Sequence, residues 1–428
     1  MRFDTLDQWL AWQETLHPKA IDLGLERVAG VAGRLGLLQP AHAVITVAGT
    51  NGKGSTVALL ESIYRAGGYQ VCTYTSPHLL RYNERIRIHG ALASDEALCR
   101  AFDAVDTARG EVSLSYFEFG TLAALWLFRE AAPDIAILEV GLGGRLDAVN
   151  IIDPDVAVVT SIGIDHEAWL GSDREVIGAE KAGIFRAARP AVCGDPRPPA
   201  SIQSRALDLG AKLYMAGRDF SWQAAVSGRG WQWQGPGAVV LTDLPLPALA
   251  GPIQLNNAAT ALTALSLLQA RLPVPRKALE RGLEQVRLPG RFQRLRDTPL
   301  VILDVAHNPQ GAQVLAESLA RQPVPGRTLA VLAMMADKDV TAVIAALAPH
   351  VQGWFAAGLP DVPRAMGVDA LCERLNASVG EAGVARHETV VSAYREACAV
   401  AGPGDRVLVL GSFYTVAQVL ELEAATVS

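Results

Sequence analysis

The chain has 428 residues, half of them hydrophobic, and a formal charge of −6; it is too long for one core, so two domains are expected, with room for a third. An acidic balance with few basic clusters argues against nucleic acid as the main partner, and no uninterrupted apolar run is long enough to span a bilayer. The opening Met1-Arg2-Phe3-Asp4-Thr5-Leu6-Asp7 carries acids where a secretion signal carries bases, and the five cysteines are odd in number, far apart and without a C-x-x-C pair; both features predict a cytoplasmic protein with reduced thiols.

The first strand-like run, Ala43–Ala48, leads into Gly49-Thr50-Asn51-Gly52-Lys53-Gly54-Ser55-Thr56 and then a helical segment at 57–65. Strand, glycine-rich loop and helix start make a phosphate cradle. Glycines let backbone N–H groups turn towards phosphate oxygens, the helix contributes its positive end, and Lys53 supplies a mobile charge. ATP or GTP is the natural ligand, although Val47 stands where the common P-loop has its first glycine and Gly54 separates Lys53 from Ser55.

Further along, the run Val71–Tyr74 delivers Ser76-Pro77-His78, the run 135–140 delivers Glu139, and the run 156–161 delivers Asp165-His166. Ligands of parallel sheets gather at the carboxyl ends of strands, so Ser76, Glu139 and His166 form a sparse candidate set for magnesium. Gly141-Leu142-Gly143-Gly144-Arg145-Leu146-Asp147 follows Glu139 directly and permits close backbone approach. A strand at 191–193 is followed by Trp-rich alternation over 221–240, which predicts a small antiparallel hairpin whose tryptophans pack, and then by a helix over 256–271. The Pro- and Gly-containing segment 287–292 marks a domain boundary before strands at 300–305, 328–334, Gly353–Ala357 and Arg406–Leu410. The fold class is therefore α/β: a mostly parallel-sheet P-loop domain over 1–289, a linker at 290–296, and a smaller Rossmann-like domain over 297–428.

Ile21-Asp22-Leu23-Gly24-Leu25-Glu26-Arg27, the GTNGKGS loop, TSPHL from Thr75, NERIRI from Asn83, FEFGT from Phe117, LEVGLGGRLDAVN from Leu138, Asp165-His166, EKAGIF from Glu180, GRF from Gly290 and D-x-AHNP from Asp304 follow one another in order. With these motifs the chain resembles the bacterial bifunctional dihydrofolate synthase/folylpolyglutamate synthases of the Mur ligase superfamily, nearly end to end. The resemblance implies an ATP-dependent ligase that adds L-glutamate to dihydropteroate and to the γ-carboxyl of reduced folates through an acyl phosphate. It also implies a roll of residues. Asn51, Gly52, Lys53, Gly54, Ser55, Thr56, Asn257, Arg291 and Asp304 would contact ATP, and Ser76, Glu139, His166 and Lys181 would hold two Mg²⁺ ions. Lys181 would carry a carbamate built from CO₂, since an ammonium cannot ligate a metal. Lys53, Lys181 and His307 would be catalytic.

On the acceptor side the resemblance assigns Ile21, Asp22, Leu23, Ser115, Tyr116, Phe117, Glu118, Leu146, Asp147 and Ala148 to dihydropteroate, with Phe117 stacking on the pterin and Asp147 accepting its N–H groups. His307 and Ser412 would lie near the incoming glutamate. Val305 departs from the family's glycine before AHNP, which predicts a local backbone adjustment, and Asn308 can equally cap the following helix. A monomer acting on small molecules alone is expected. The alternatives are a single one of the two activities, a P-loop switch that turns over nucleotide slowly, or a peptidoglycan-precursor Mur-type ligase, which needs a further domain where only 48 residues precede Gly49.

Overall fold

The computed structural model describes residues 1–19, 21–225, 228, 230–380 and 383–427. The chain divides into two compact units, Met1–Ala248 with Leu255–Val286, and Leu249–Gln254 with Arg287–Ser428.

The first unit is built on strands β1 (Ala43–Ala48), β2 (Val71–Tyr74), β3 (Ile86–Ile88), β4 (Ala91–Leu92), β5 (Ile135–Glu139), β6 (Val156–Val159), β7 (Pro190–Cys193) and β8 (Lys212–Met215). They lie in the order β4-β3-β2-β5-β1-β6-β7-β8. From β2 through β8 every neighbour is parallel, and β3 and β4 add an antiparallel edge. Every residue of β1, β2, β5 and β6 is buried, which is why these strands read as continuous apolar runs and not as alternation. Helices Leu6–Leu16, Asp95–Arg109 and Tyr116–Ala131 pack Trp9, Phe102, Phe119 and Phe128 into the cluster that also holds Val44, Ala136 and Leu138.

Beyond β8, β9 (Ser221–Ala224), β10 (Trp231–Gln234) and β11 (Val240–Leu244) form a separate antiparallel sheet. The predicted hairpin thus gains a third strand; Val226, Ser227 and Arg229 at its first turn lie outside the described residues. Trp231 and Trp233 point inward and Gln232 and Gln234 outward, as period two requires. Both indoles find acceptors, Pro245 C=O at 2.9 Å and Thr263 Oγ1 at 3.3 Å.

The second unit carries β12 (Gln293–Asp297), β13 (Leu300–Asp304), β14 (Thr328–Leu332), β15 (Gly353–Ala357), β16 (Val384–His387) and β17 (Arg406–Leu410), in the order β12-β13-β17-β14-β15-β16. Only β12 runs antiparallel, so residues 293–296 of the segment read as a linker belong, with Asp297, to an edge strand on β13. All five cysteines are free. Among the described residues no helix is long and apolar enough to cross a membrane.

Candidate active site

β1 ends at Ala48, and the chain then turns through Gly49 with φ of 154°. A β-carbon there would lie 1.9 Å from Thr160 Oγ1, so only glycine fits. The loop is braced by the end of β6: Thr50 N–H donates to Ser161 C=O at 2.8 Å, Thr160 Oγ1 to Asn51 C=O at 2.7 Å, and Asn51 N–H to Ser161 Oγ at 3.1 Å. Gly52, left-handed at φ 85°, starts the helix Lys53–Ala66, whose first turn holds Gly54 and the buried Ser55 and Thr56. Asn257 lies against Gly52, its Oδ1 2.6 Å from where a β-carbon would stand. Lys53 Nζ folds back on the loop, donating to Gly49 C=O at 3.0 Å and Thr50 C=O at 3.4 Å. The cradle is therefore preformed.

Beside it, the neighbouring parallel strands β2 and β5 bring Ser76 to Glu139, with the Ser76 N–H 3.4 Å from Oε2. Glu139 is 4 % exposed. His166, on the other flank, adopts a left-handed backbone and opens the short helix Glu167–Leu170, its N–H donating to Asp165 Oδ1 at 2.8 Å. Lys181 closes the helix Arg174–Lys181 and is 3 % exposed. Burial, then the Lys53 charge, pushes its ammonium down to about 7 against a smaller pull from Asp165.

Lys181 is held in place by the glycine-rich loop after β5. A β-carbon on Gly144 would stand 2.8 Å from Glu180 C=O and 2.9 Å from Lys181 C=O, while Arg145 N–H donates to Glu180 C=O at 2.8 Å. Among the described residues no three His, Cys, Asp or Glu side chains form a ready cage. A buried carboxylate beside a serine is nonetheless the sparse, hard-oxygen set that suits magnesium, which takes most of its roughly six ligands from phosphate and water.

The segments expected from the sequence to receive the acceptor sit on the same unit. Ser115 caps the helix Tyr116–Ala131 and forms a reciprocal capping box with the buried Glu118. Phe117 lies across Gly141, where a β-carbon would touch its ring at 2.7 Å, and Tyr116 packs on Tyr82. Asp147 and Ala148 are buried and Leu146 is half-buried. The Asp147 carboxylate already accepts three backbone N–H groups, from Gly141 at 3.0 Å, Leu142 at 3.1 Å and Val149 at 3.0 Å. Burial pushes its carboxyl up to about 7 against those bonds. Oδ2 is thus taken up by the loop, while Oδ1, which accepts the Val149 N–H, keeps one acceptor position.

Ile21, Asp22 and Leu23 are half-buried coil. Asp22 is gripped by Arg27, with Nη1 donating at 2.6 Å, and Arg27 reaches on to Glu118 at 3.1 Å. Sequence reasoning quoted Arg27 within a motif and gave it no role; its spacing from Asp22 across a helix start was the available signal.

In the second unit the adjacent strands β13 and β17 end at Asp304 and Leu410. Asp304 accepts from Phe292 N–H at 2.9 Å and Ala306 N–H at 2.8 Å, and burial raises its carboxyl against the Arg291 charge. His307 Nδ1 meets Val305 C=O at 2.8 Å. A carbonyl only accepts, so Nδ1 carries the proton and Nε2 keeps its lone pair in the neutral ring. Arg291 stacks over Phe413 at 5.2 Å, and the His307 ring lies 6.4 Å from the same phenyl. Ser412 is buried, its hydroxyl 2.6 Å from Thr415 Oγ1 and accepting the Thr415 N–H at 3.0 Å, so this side chain caps a helix. Asn308 caps too, accepting from Gly311 N–H. Val305 is not left-handed, and its N–H reaches Gly290 C=O at 3.0 Å, so losing the family's glycine costs no backbone strain here.

Residues 47–194 match the Mur ligase middle domain, and residues 290–413 match the Mur ligase glutamate ligase domain. The dihydrofolate synthase/folylpolyglutamate synthase of Escherichia coli strain K12 is 48% identical over 417 residues, covering 97% of this chain and 95% of the relative. The solved E. coli FolC with DHPP and ADP matches with TM-score 0.94 at 47% identity, covering 99% of both chains. A bifunctional folylpolyglutamate synthase/dihydrofolate synthase solved with Mn, AMPPNP and L-glutamate matches at 0.90 and 47%, covering 98% of both.

The tight fit at Gly49 generates a direct expectation. Gly49→Ala drives a methyl group into Thr160, and affinity for ADP is expected to fall tenfold or more by titration calorimetry. Gly68→Ala, at another positive-φ position with open space around it, is expected to bind as wild type. Unchanged affinity in Gly49→Ala would contradict the cradle.

Proposed function

The chain belongs to the dihydrofolate synthase/folylpolyglutamate synthase family of Mur ligases, and on that premise we propose that the site described above joins L-glutamate to dihydropteroate and to reduced folates at the expense of ATP. A carboxylate resists nucleophiles because its own charge repels them, and phosphorylation replaces O⁻ with a leaving group. An oxygen of the acceptor carboxylate attacks the γ-phosphorus of ATP and ADP departs. The glutamate amine then attacks the acyl carbon, phosphate leaves, and the amine gives up its proton. Catalysis of this sequence is chiefly positioning and charge neutralisation. The observation that carries the reading is the convergence of the Gly49–Thr56 cradle, Ser76 and Glu139 at the ends of the adjacent parallel strands β1, β2 and β5, with the buried Lys181 held against the loop after β5.

Lys53 turns from the loop carbonyls to the terminal phosphates, and the amides of residues 51–56 hold the others. Ser76, Glu139, His166 and Lys181 would hold Mg²⁺, which supplies neutralisation of phosphate charge when bound. For Lys181 the neutral amine is accessible at physiological pH, so its lone pair can add to CO₂ and release a proton, yielding an anionic carbamate with two oxygens. Phe117 and the segments 21–23 and 146–148 receive the dihydropteroate. Asn257 contacts ATP from beside Gly52, and Arg291 and Asp304 are assigned to the nucleotide from the second unit. His307, with Nε2 as acceptor, is assigned to the glutamate amine; the Ser412 backbone, its hydroxyl being engaged, is assigned to glutamate.

Purified protein with ATP, magnesium, bicarbonate and labelled glutamate is expected to form a glutamyl amide on both dihydropteroate and tetrahydrofolate, and to lose the activity on chelation. Equal ATP consumption with and without glutamate, and no amide, would sink the proposal. Carbamylation has its own readout: ¹³C-bicarbonate should give a carbamate resonance that Lys181→Met lacks, and an identical resonance in that variant would exclude Lys181 as its site.

A further inference from the structure

The end of the helix Arg174–Lys181 is gripped on both sides of Lys181 by the loop that follows β5, through side chains that the reaction itself does not use. Before Lys181, Glu180 C=O accepts the Arg145 N–H at 2.8 Å, and Glu180 Oε1 meets the Arg145 guanidinium at Nε and Nη2, both at 2.8 Å. After it, Gly183 C=O accepts from Asn150 Nδ2 at 3.1 Å, and the same Nδ2 donates to Arg145 C=O at 3.0 Å. Asn150 is buried, and its remaining polar atoms are engaged. Its Oδ1 and its own C=O accept from Arg186 Nη2 at 3.0 Å and 2.9 Å, and its N–H donates to Asp147 C=O at 2.9 Å. A guanidinium only donates and a carbonyl only accepts, so the amide has a single orientation that satisfies all its partners.

Arg186 completes the clamp. Its Nη1 reaches Gly183 C=O at 3.3 Å and Phe185 C=O at 3.2 Å, and its Nε pairs with Asp153. Gly183 C=O thus takes donors from two segments, and a β-carbon on Gly183 would stand 2.4 Å from Arg145 Cα. The backbone that carries Lys181 therefore cannot shift without several contacts breaking together. Such rigidity bears on chemistry as well as on the fold. A carbamate forms reversibly: the amine nitrogen bonds to the carbon of CO₂, one C=O electron pair moves onto oxygen, and the amine proton leaves to solvent. Its occupancy at a given bicarbonate level depends on how much better the surroundings hold the carbamate than the amine. A lysine stem is flexible, so a fixed backbone removes one source of misplacement before CO₂ arrives.

We propose that Asn150 and Arg186 are positioning residues that hold the Lys181 backbone so that its buried amine is carbamylated at ambient CO₂. This rests on the carbamate reading above and deepens it. Asn150→Asp keeps the shape and the Arg186 pairing but turns an acceptor oxygen towards two carbonyls. Its half-saturating bicarbonate concentration for amide formation is expected to rise tenfold or more, and its ¹³C carbamate resonance at ambient bicarbonate to weaken in step. Saturating bicarbonate is expected to return its kcat to within twofold of wild type, with ADP affinity by titration calorimetry within twofold throughout. Arg186→Lys, which keeps the charge and loses the planar fork, is expected to raise the same concentration about threefold. If Asn150→Asp does not fold, Arg186→Lys decides alone. A bicarbonate dependence equal to that of wild type, or a loss that bicarbonate does not restore, would overturn the proposal. A wild type without a carbamate resonance overturns the carbamate reading and this proposal together, whereas a carbamylated wild type with unaltered variants overturns this proposal alone.

Discussion

The first unit's site depends on one close approach, the peptide of Gly144 lying directly against the carbonyls of Glu180 and Lys181. A single methyl group there would push the two backbones apart, because the nearest atoms it would meet are main-chain atoms of Glu180 and Lys181 and not the far end of a flexible side chain. The contact ties the glycine-rich loop that follows β5 to the helix that ends in Lys181. Glu139 and Lys181 are thereby held to one rigid frame, and Asp147 stiffens the loop from within by taking three of its N–H groups. Gly183 repeats the device, since a β-carbon there would stand 2.4 Å from Arg145 Cα.

That frame solves an electrostatic problem. The half-buried Lys53 lies near the buried Lys181, and burial, then repulsion from the Lys53 charge, lowers the Lys181 ammonium. In the proposed reaction a polyphosphate would offset the first charge, and conversion of the second amine to a carbamate would reverse its sign, so the group whose proton burial loosens is the one whose lost proton the proposal uses. On the acceptor side the same economy of charge recurs in Arg27, one cation set between Asp22 and Glu118.

Much of this was legible from the chain itself. β1, β2, β15 and β17 have the bounds that their apolar runs predict, because strands covered on both faces leave an uninterrupted hydrophobic signature. β3, β4, β8, β12 and β16 escaped prediction because each is short and lies at or beside a sheet edge, where one face or an end is solvated and residues such as Arg87, Lys212 and Arg294 interrupt the run. The stretch 249–254 gave no sign of joining the second unit. Within the site, strand ends pointed to Ser76 and Glu139 directly, whereas Lys181 and Asn257 were reachable only through family resemblance. The Thr160 and Ser161 brace and the Asp22–Arg27–Glu118 links depend on contacts across roughly a hundred residues or on loop geometry, and no local pattern encodes either.

The central claim is that a carboxylate is phosphorylated before the amine attacks. Dihydropteroate labelled with ¹⁸O in its carboxyl group, turned over with ATP and glutamate, tests it most directly. The acyl-phosphate route predicts that each phosphate released carries one ¹⁸O from the acceptor. Phosphate free of label, alongside normal amide formation, would contradict the account.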